Sequence, residues 1–338
     1  LELRFVEQIP EVAVRHIPRV LYHWRAIKGS VALSGGEKPY AHERARTAIR
    51  EHLQRTGSRA EVTAAIYDLH RIRFDLPVEP PKVSLIFIDD GSVDLVHRID
   101  EIIRNTGYPN IEIFGVTNTT RDPGDAHTRW IEQKALSRAE AFNLAASASV
   151  GELLCFADPN FRPLSTNWLD DMVGWALREK IGAVGAKLLY KNWTVMHGGL
   201  LTGVENDLGI AHHGVGRGAL GNMFRNLFPG NFSATSACFM VVEKTKFEAM
   251  DGFDAESLPE HLFDVDLCLR MRNAGMRVVV TPVAELIQTT NTTPAILTEI
   301  PSATEISSFA KKWPEHLLSD PFYNPNLSHA RGDFSIDI

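Results

Sequence analysis

From residue 83 onward, short apolar runs alternate with stretches of helical periodicity. The first run, Val83–Ile88, is apolar apart from one serine, and Leu95, Ile99 and Ile102 follow at the spacing of one helix face. A second run covers Ile111–Val116. A strand that is buried on both faces has such an unbroken apolar sequence, whereas a half-solvated strand alternates. This order of runs predicts an α/β fold with a mostly parallel central sheet flanked by helices.

The next stretch repeats the pattern. Ser137 and Glu140 have the spacing of a capping box, so a helix is predicted from Ser137 to about Ser149. A third strand is predicted over Glu152–Ala157, and an apolar helical stripe begins at Trp168. Strand and helix therefore keep alternating through the centre of the chain.

Polar residues follow each predicted strand, where open α/β sheets bind their ligands. They are Asp89 and Asp90, Thr117 and Asn118, and Asp158 and Asn160. No GxGxxG fingerprint follows the first strand, and the sequence contains no GxxxxGK[ST] loop. These patterns argue against a dinucleotide-binding domain and against a P-loop nucleotide hydrolase.

Two acidic segments are candidates for chemistry, and each has two interpretations. Asp158 and Asn160 place two oxygen donors two residues apart, which suits a hard divalent cation, but Asp-Pro-Asn also forms Asx turns. Asp264 and Asp266 fall in the first turn of a predicted helix. Carboxylates are favoured there by the helix dipole, and a carboxylate so placed can also act as a general base.

Composition restricts the class of protein. The 338 residues carry a formal net charge of −7, which argues against a general nucleic-acid-binding protein. No run reaches the roughly 18 apolar residues of a membrane span, so no transmembrane segment is predicted. The three cysteines are far apart and lie among apolar neighbours, which predicts buried free thiols.

The first residues, LELRFVEQIP, contain no initiator methionine and no secretory signal pattern. We therefore expect the chain to be a piece of a longer protein. Its expected location is the cytoplasm, and the inner face of the cell membrane is a second candidate location.

The order of these motifs resembles inverting family 2 glycosyltransferases with the GT-A nucleotide-sugar fold. The resemblance runs from VSLIFIDDGS through LSRAEAFNLAASASVGELLCFAD and NFSATSACFMVVEKTKFEAMDGFD to FDVDLCLRMRNAGMRVVVTPVAEL, over roughly residues 82–290. It is nearest to rhamnosyl- and O-antigen-type transferases of bacterial surface polysaccharides, which contain tandem modules.

The resemblance implies roles for the candidate residues. Asp89, Asp90, Thr117 and Asn118 would bind the nucleotide of the donor, together with Arg138, Asp158 and Asn160. Asp158 and Asn160 match the DxD motif, whose Mg²⁺ or Mn²⁺ bridges the donor diphosphate. Asp264 matches the base that deprotonates the acceptor hydroxyl in a single displacement at the anomeric carbon.

Several positions depart from the family pattern. Thr117 replaces a base-binding aspartate, Asn160 replaces the last acid of DxD, and Phe263 replaces the glutamate before the base. Leu286–Asn291 replaces a His-rich segment that is often a third metal contact. The loss of carboxylates predicts a weakened metal site, in which Arg138, Lys187 or Arg217 would face the diphosphate instead. A catalytically inactive GT-A module for glycan binding or domain scaffolding is the alternative.

The resemblance also divides the chain. Residues 1–80 resemble the tail of a preceding transferase module, residues 81–295 form the GT-A domain, and residues 296–338 form a C-terminal extension packed on it. The implied partners are a nucleotide sugar, a polysaccharide or lipid-linked glycan acceptor, and other transferase modules of the same parent protein.

Overall fold

The structure is a computed structural model of the 338-residue chain. It describes residues 1–10, 13–28, 40–89, 91, 94–117, 128–133, 136–205, 207–291 and 295–336. Two compact units are present, Leu1–Asp75 and Leu76–Ile338.

The first unit is a small α/β arrangement. Its elements are α1 (Glu2–Val6), α2 (Tyr40–Arg55), β1 (Ala60–Ala64), a 3₁₀ turn (Ile66–Asp68) and β2 (His70–Phe74). The two strands form an antiparallel hairpin, and buried Leu53 of α2 and Val62 of β1 supply its apolar interior.

The second unit contains the predicted alternation of strands and helices. Its strands are β3 (Val83–Ile88), β4 (Ile111–Thr117), β5 (Thr128–Glu132), β6 (Leu153–Ala157), β7 (Phe161–Pro163), β8 (Ile181–Leu189), β9 (Val195–His197), β10 (Leu200–Thr202), β11 (Leu208–Ile210), β12 (Gly230–Phe232), β13 (Phe239–Glu243) and β14 (Arg277–Gln288). Its helices are α3 (Leu95–Arg104), α4 (Arg138–Ala148), α5 (Trp168–Ala176), α6 (Lys244–Ala249), α7 (Phe263–Asn273), α8 (Ala295–Thr298) and α9 (Ala303–Lys312), with a 3₁₀ turn at Asn222–Phe224.

Most of these strands join one central sheet in the order β12-β14-β8-β13-β6-β3-β4-β5. The pairs β6–β3, β3–β4, β4–β5 and β14–β8 are parallel, whereas β13 runs antiparallel to both β6 and β8. The predicted mostly parallel sheet flanked by helices is therefore confirmed, and β13 is an antiparallel insertion that the strand spacing did not indicate.

Helices cover both faces of the sheet. Leu85 and Phe87 of β3 pack in the apolar cluster that contains α3 and α5, whereas Ile86 packs in the opposite cluster with α4, α7 and α9. Because successive side chains of a strand point to opposite faces, burial on both faces requires the unbroken apolar run that β3 has.

The local predictions for α4 and the cysteines are also confirmed. The Ser137 side chain accepts from the Glu140 backbone while the Glu140 carboxylate accepts from Ser137, which completes the capping box. Cys155, Cys238 and Cys268 are free and buried. In the described ranges, no helix combines the length and the apolar character needed to cross a bilayer.

Candidate functional site

The ends of β3 and β4 bring Asp89 and Thr117 together. The parallel register pairs Ile88 with Val116, and the Thr117 hydroxyl donates to Asp89 Oδ2 over 2.7 Å. The other oxygen of Asp89 accepts from the backbone N–H of Gly91 at 2.8 Å. Asp89 and Thr117, two of the predicted nucleotide-binding residues, are thus hydrogen-bonded to each other. The other two, Asp90 and Asn118, lie outside the described residues.

Asp158 follows β6, the neighbour of β3, and forms the Asx turn that the sequence allows. Its Oδ1 accepts from the backbone N–H of Asn160 at 2.7 Å. Its own backbone N–H donates to the carbonyl of Cys238 at 2.8 Å, which attaches the end of β6 to the segment before β13. Asp158 as a whole residue is partly exposed.

Asp264 lies in the first turn of α7 and is 3% exposed. Its Oδ2 accepts from the backbone N–H of Ala237 at 2.9 Å, and its Oδ1 accepts from the N–H of Val265 at 2.8 Å. Burial raises the pKa of Asp264 above its ordinary value, although the two backbone N–H groups act in the opposite direction. A carboxylate with a raised pKa is a stronger base than an exposed aspartate.

Asp158 and Asp264 therefore contact the same short segment, Ala237–Cys238. Burial raises the pKa of the Cys238 thiol. The negative charges of Asp158 and Asp264 raise this pKa further, while the positive charge of Arg138 lowers it. Asp158, Asp264 and Arg138 thus all influence the pKa of one buried thiol.

Arg138 begins α4 and faces the loop before α7. Its guanidinium donates to the carbonyl of Glu260 at 2.6 Å, and the next residue, Ala139, donates to the carbonyl of Pro259 at 2.9 Å. These bonds fix the start of α4 against the loop that leads to Asp264.

Asn160 has a set of partners that the sequence did not indicate. Its Oδ1 accepts from the Arg98 guanidinium at 2.6 Å and from the Thr290 hydroxyl at 2.9 Å. Its backbone carbonyl accepts from the N–H and the hydroxyl of Thr289 at 2.7 and 3.0 Å. The segment Leu286–Asn291 therefore brings hydroxyl groups, rather than imidazoles, to the end of β6.

These contacts do not fit Asn160 as a ligand of a divalent cation. An amide oxygen has two lone pairs, and both are used by Arg98 and Thr290. A cation bound to the same oxygen would lie about 4 Å from the guanidinium, where the repulsion is roughly 8 kcal/mol at an effective dielectric constant of 20. In the ranges that the structure describes, no three His, Cys, Asp or Glu side chains form a group suited to a metal ion.

Lys187 and Arg217 belong to a different cluster. Arg217 pairs with Glu285 at 2.7 Å, and Lys187 approaches the other oxygen of Glu285 at 3.4 Å. Lys187 also donates to the carbonyls of Arg217 and Asn226. Glu285 therefore pairs with the two cations, Lys187 and Arg217, that the sequence analysis suggested for the donor diphosphate.

Arg98 is the residue of this site that the sequence reasoning missed. It lies between Leu95 and Ile99 on α3 and is 5% exposed, so a charged side chain occupies the apolar face of that helix. Arginine is almost never buried without partners. An arginine within the apolar stripe of a helix could therefore have indicated a buried, paired guanidinium at this position. Its partners could not be read from spacing, because Asn160 is 62 residues away in the chain.

No family model matches the chain. An uncharacterized protein of Sinorhizobium fredii, y4gI, is 32% identical in an alignment 356 positions long, which covers 98% of this chain and 38% of that protein. The O-antigen biosynthesis protein RfbC of Myxococcus xanthus is 32% identical over 334 residues, which cover 94% of this chain and 26% of RfbC. The chain thus spans less than two fifths of either relative.

Among solved structures, GalNAc-T7 in complex with UDP, GalNAc and Mn²⁺ superposes with a TM-score of 0.56 and 10% sequence identity. The match covers 75% of this chain and 51% of GalNAc-T7. At this identity the likeness shows the fold alone. The predicted GT-A fold and the predicted resemblance to glycosyltransferases are confirmed.

Proposed function

We propose that the chain is an inverting glycosyltransferase that moves a sugar from a nucleotide-sugar donor to a growing cell-envelope polysaccharide. Asp264 acts as the general base, and Asp158 lies beside the donor diphosphate. The glycosyltransferase fold supports this proposal, and the similarity to an O-antigen biosynthesis protein supports a polysaccharide as the acceptor.

One observation gives the strongest support for the assignment of Asp158 and Asp264. Asp158 and Asp264 are 106 positions apart in the sequence, yet both hydrogen-bond the segment Ala237–Cys238, at 2.8 and 2.9 Å. A displacement needs a leaving group and a base on either side of one reacting carbon. Asp158 is attached to this segment by its backbone N–H and Asp264 by its carboxylate, which supports the assignment of the two residues to one site.

The proposed reaction is a single displacement. The acceptor hydroxyl gives its proton to the Asp264 carboxylate while its oxygen forms a bond to the anomeric carbon. The bond from that carbon to the diphosphate oxygen breaks, and the electron pair leaves with the nucleoside diphosphate. The low exposure of Asp264 favours this role. Burial raises the pKa of its carboxylate toward the pH at which the enzyme works, and a general base is most effective when these two values are close.

The donor nucleotide is assigned to the ends of β3 and β4. The hydrogen bond from Thr117 to Asp89 fixes a carboxylate at this edge, and this supports the assignment because a ribose hydroxyl or a base N–H can donate to a carboxylate. Arg138 is assigned to the donor phosphates, since its guanidinium is held at the start of α4 beside the loop that leads to Asp264, and a guanidinium binds phosphate oxygens strongly.

The remaining assignments concern the parent protein. We propose that residues 1–80 are the tail of a preceding transferase module and that residues 296–338 extend the catalytic domain. Further modules of the same protein, a lipid-linked glycan acceptor and a cytoplasmic position at the inner face of the membrane complete the proposal.

Release of nucleoside diphosphate from UDP-, GDP- and dTDP-sugars tests the proposal. We expect the protein to release one of these diphosphates, and Asp158→Ala to reduce the release, because the Asp158 carboxylate holds the turn to Asn160 at the proposed donor site. Asp251→Ala, at an exposed aspartate, serves as the matched control and retains it. If the wild-type protein turns over none of the three donor classes, the inactive GT-A module becomes the better explanation.

A further inference from the structure

The first unit contains a run of exposed apolar residues between positions 14 and 24. This part of the chain belongs to no helix or strand. Exposed apolar patches mark interaction sites, because the removal of such surface from water is favourable. The residues concerned, each 57–79% exposed, are Val14, Ile17, Val20, Leu21, Tyr22 and Trp24.

The sequence of residues 1–24 matches that of residues 267–290 without a gap, so that each residue lies 266 positions before its counterpart. Residues 267–290 contain the greater part of α7 and the whole of β14. Five pairs of residues are identical, and in five further pairs both residues are apolar. The identical pairs are Leu1 and Leu267, Leu3 and Leu269, Arg4 and Arg270, Val12 and Val278, and Val14 and Val280.

The helices agree with this repeat. The counterparts of α1 are residues 268–272, which are helical as well because they belong to α7. Further along the chain, the sequence Pro39-x-Ala41-x-Glu43 accompanies the start of α2, and Pro301-x-Ala303-x-Glu305 accompanies the start of α9. Residues 1–55 are therefore a sequence-related second copy of α7, β14 and α9.

The two copies differ in burial. Leu286 and Ile287 of β14 are 0% and 5% exposed, whereas their counterparts Val20 and Leu21 are 78% and 70% exposed. β14 is covered because it pairs in parallel with β8 and antiparallel with β12, and its side chains pack in apolar clusters on both faces of the sheet. Residues 14–22 have the apolar pattern of β14, and the described part of the first unit does not cover them with a sheet.

We propose that residues 14–22 add a strand to a second α/β sheet of the transferase type, in the position that β14 occupies beside β8. The partner is thus a sheet that exposes an apolar strand and pairs with this segment in parallel. Main-chain hydrogen bonds between the strands provide affinity, and the apolar side chains provide specificity. This inference rests on the part of the proposed function that assigns residues 1–80 to a preceding module, and it does not depend on catalysis by the second unit.

Hydrogen exchange in a longer form of the protein, which includes the proposed preceding module, tests the inference. We expect the amides of residues 14–22 to be about as protected there as those of their counterparts, residues 280–288, and to exchange far faster in the 338-residue chain. Equally fast exchange of residues 14–22 in both forms would overturn the inference. Release of nucleoside diphosphate is measured separately on the 338-residue chain, so failure of the docking and failure of the proposed transfer are distinguishable.

A charged residue within the segment gives a second test. Leu21→Asp should leave the thermal transition of the 338-residue chain unchanged, because Leu21 is exposed there, but it should speed exchange of residues 14–22 about tenfold or more in the longer form. Val78→Asp is the matched control, since Val78 is an exposed apolar residue outside the repeat. Unchanged exchange in Leu21→Asp would contradict the docking. If this variant of the longer form does not fold, the comparison of the two wild-type lengths still decides.

Two other occupants of the segment would give different results. If a second copy of the chain covered it, the 338-residue chain would sediment as a dimer that Leu21→Asp dissociates. A lipid surface is the other candidate, because residues 12–28 include Arg15, Arg19 and Arg25 and no acidic residue. The wild-type chain would then co-sediment with vesicles of phosphatidylglycerol and phosphatidylethanolamine in equal parts, and Leu21→Asp would not. Either result would overturn the assignment to a transferase sheet.

Discussion

At the scale of single residues, Asp264 carries the chemistry of the proposal. Its carboxylate is nearly buried, and burial raises its pKa above the ordinary 3.8 of an aspartate. The base must be ionised to accept the acceptor proton, so the rate falls as pH falls through this raised pKa.

We therefore expect the acid limb of the pH–rate profile to have its midpoint above 3.8. Asp264→Asn should lower the rate about 10²- to 10⁴-fold and remove this limb. The measurement is the rate of nucleoside diphosphate release between pH 4 and 8, with Asp251→Asn as the control at an exposed aspartate. An unchanged rate in Asp264→Asn would exclude it as the base.

The sequence predicted some parts of the site better than others. Asp89, Thr117 and Asp158 could be placed at one sheet edge, because the apolar runs before them predict neighbouring parallel strands. The partners of Asn160 could not be predicted, since they come from α3 and from the end of β14, whose approach depends on packing.

At the scale of elements, α9 fixes the loop that leads to the proposed base. Glu305, which is 3% exposed, accepts from the backbone N–H groups of Glu260 and His261 at 2.9 and 2.8 Å. Its second oxygen accepts from the N–H and the hydroxyl of Ser302 in a capping box. The carboxylate thereby joins the start of α9 to the residues just before α7.

This arrangement predicts a pH-dependent stability. Burial alone would raise the pKa of Glu305, but the N–H groups of His261 and Glu260 and the cap at Ser302 lower it from 4.5 to about 2. The folded pKa is depressed, so this stabilisation is present above pH 4.5 and is lost as pH falls toward 2.

Glu305→Gln should therefore lower the free energy of unfolding by about 1–3 kcal/mol at neutral pH. The difference from wild type should shrink as the pH falls below 4.5. Denaturant unfolding at several pH values measures this, and Glu315→Gln, at an exposed glutamate of the same region, is the control. A difference that is independent of pH would exclude the ionised carboxylate as the source.

The cap of α4 gives a second prediction at this scale. Ser137→Ala removes the side chain that accepts from Glu140, and we expect a loss of about 1 kcal/mol in the free energy of unfolding. Ser147→Ala, near the other end of α4, should cost less, because that hydroxyl only donates to a carbonyl of its own helix. Equal losses in the two variants would contradict the cap assignment.

Elements with a strong periodic signal were predicted well, and short ones were not. The strand Val83–Ile88 and the helix Arg138–Ala148 have clear apolar or capping patterns, and their bounds agree with the prediction within one or two residues. Strands of three residues, such as β7 and β12, were not predicted, because three residues are too few to show a period. They exist because β14 offers them partners.

At the scale of the whole molecule, the chain divides into two compact units at Asp75 and Leu76. Asp89, Asp158, Arg138 and Asp264 all belong to the second unit, which also contains the central sheet with its two apolar clusters. A unit with its own core is expected to fold by itself.

We therefore expect a chain of residues 76–338 to unfold cooperatively and to bind the same nucleoside diphosphate as the full chain. Thermal unfolding and calorimetry of the two proteins measure this. Loss of binding in a shortened chain that still folds would contradict this expectation.

The most direct test of the central claim is the configuration of the transferred sugar. Proton NMR during turnover of the accepted donor, before mutarotation, reports the first anomer formed on transfer to water or to an acceptor. A single displacement with Asp264 as the base gives the anomer opposite to that of the donor. A product with the configuration of the donor would contradict the mechanism proposed for this site.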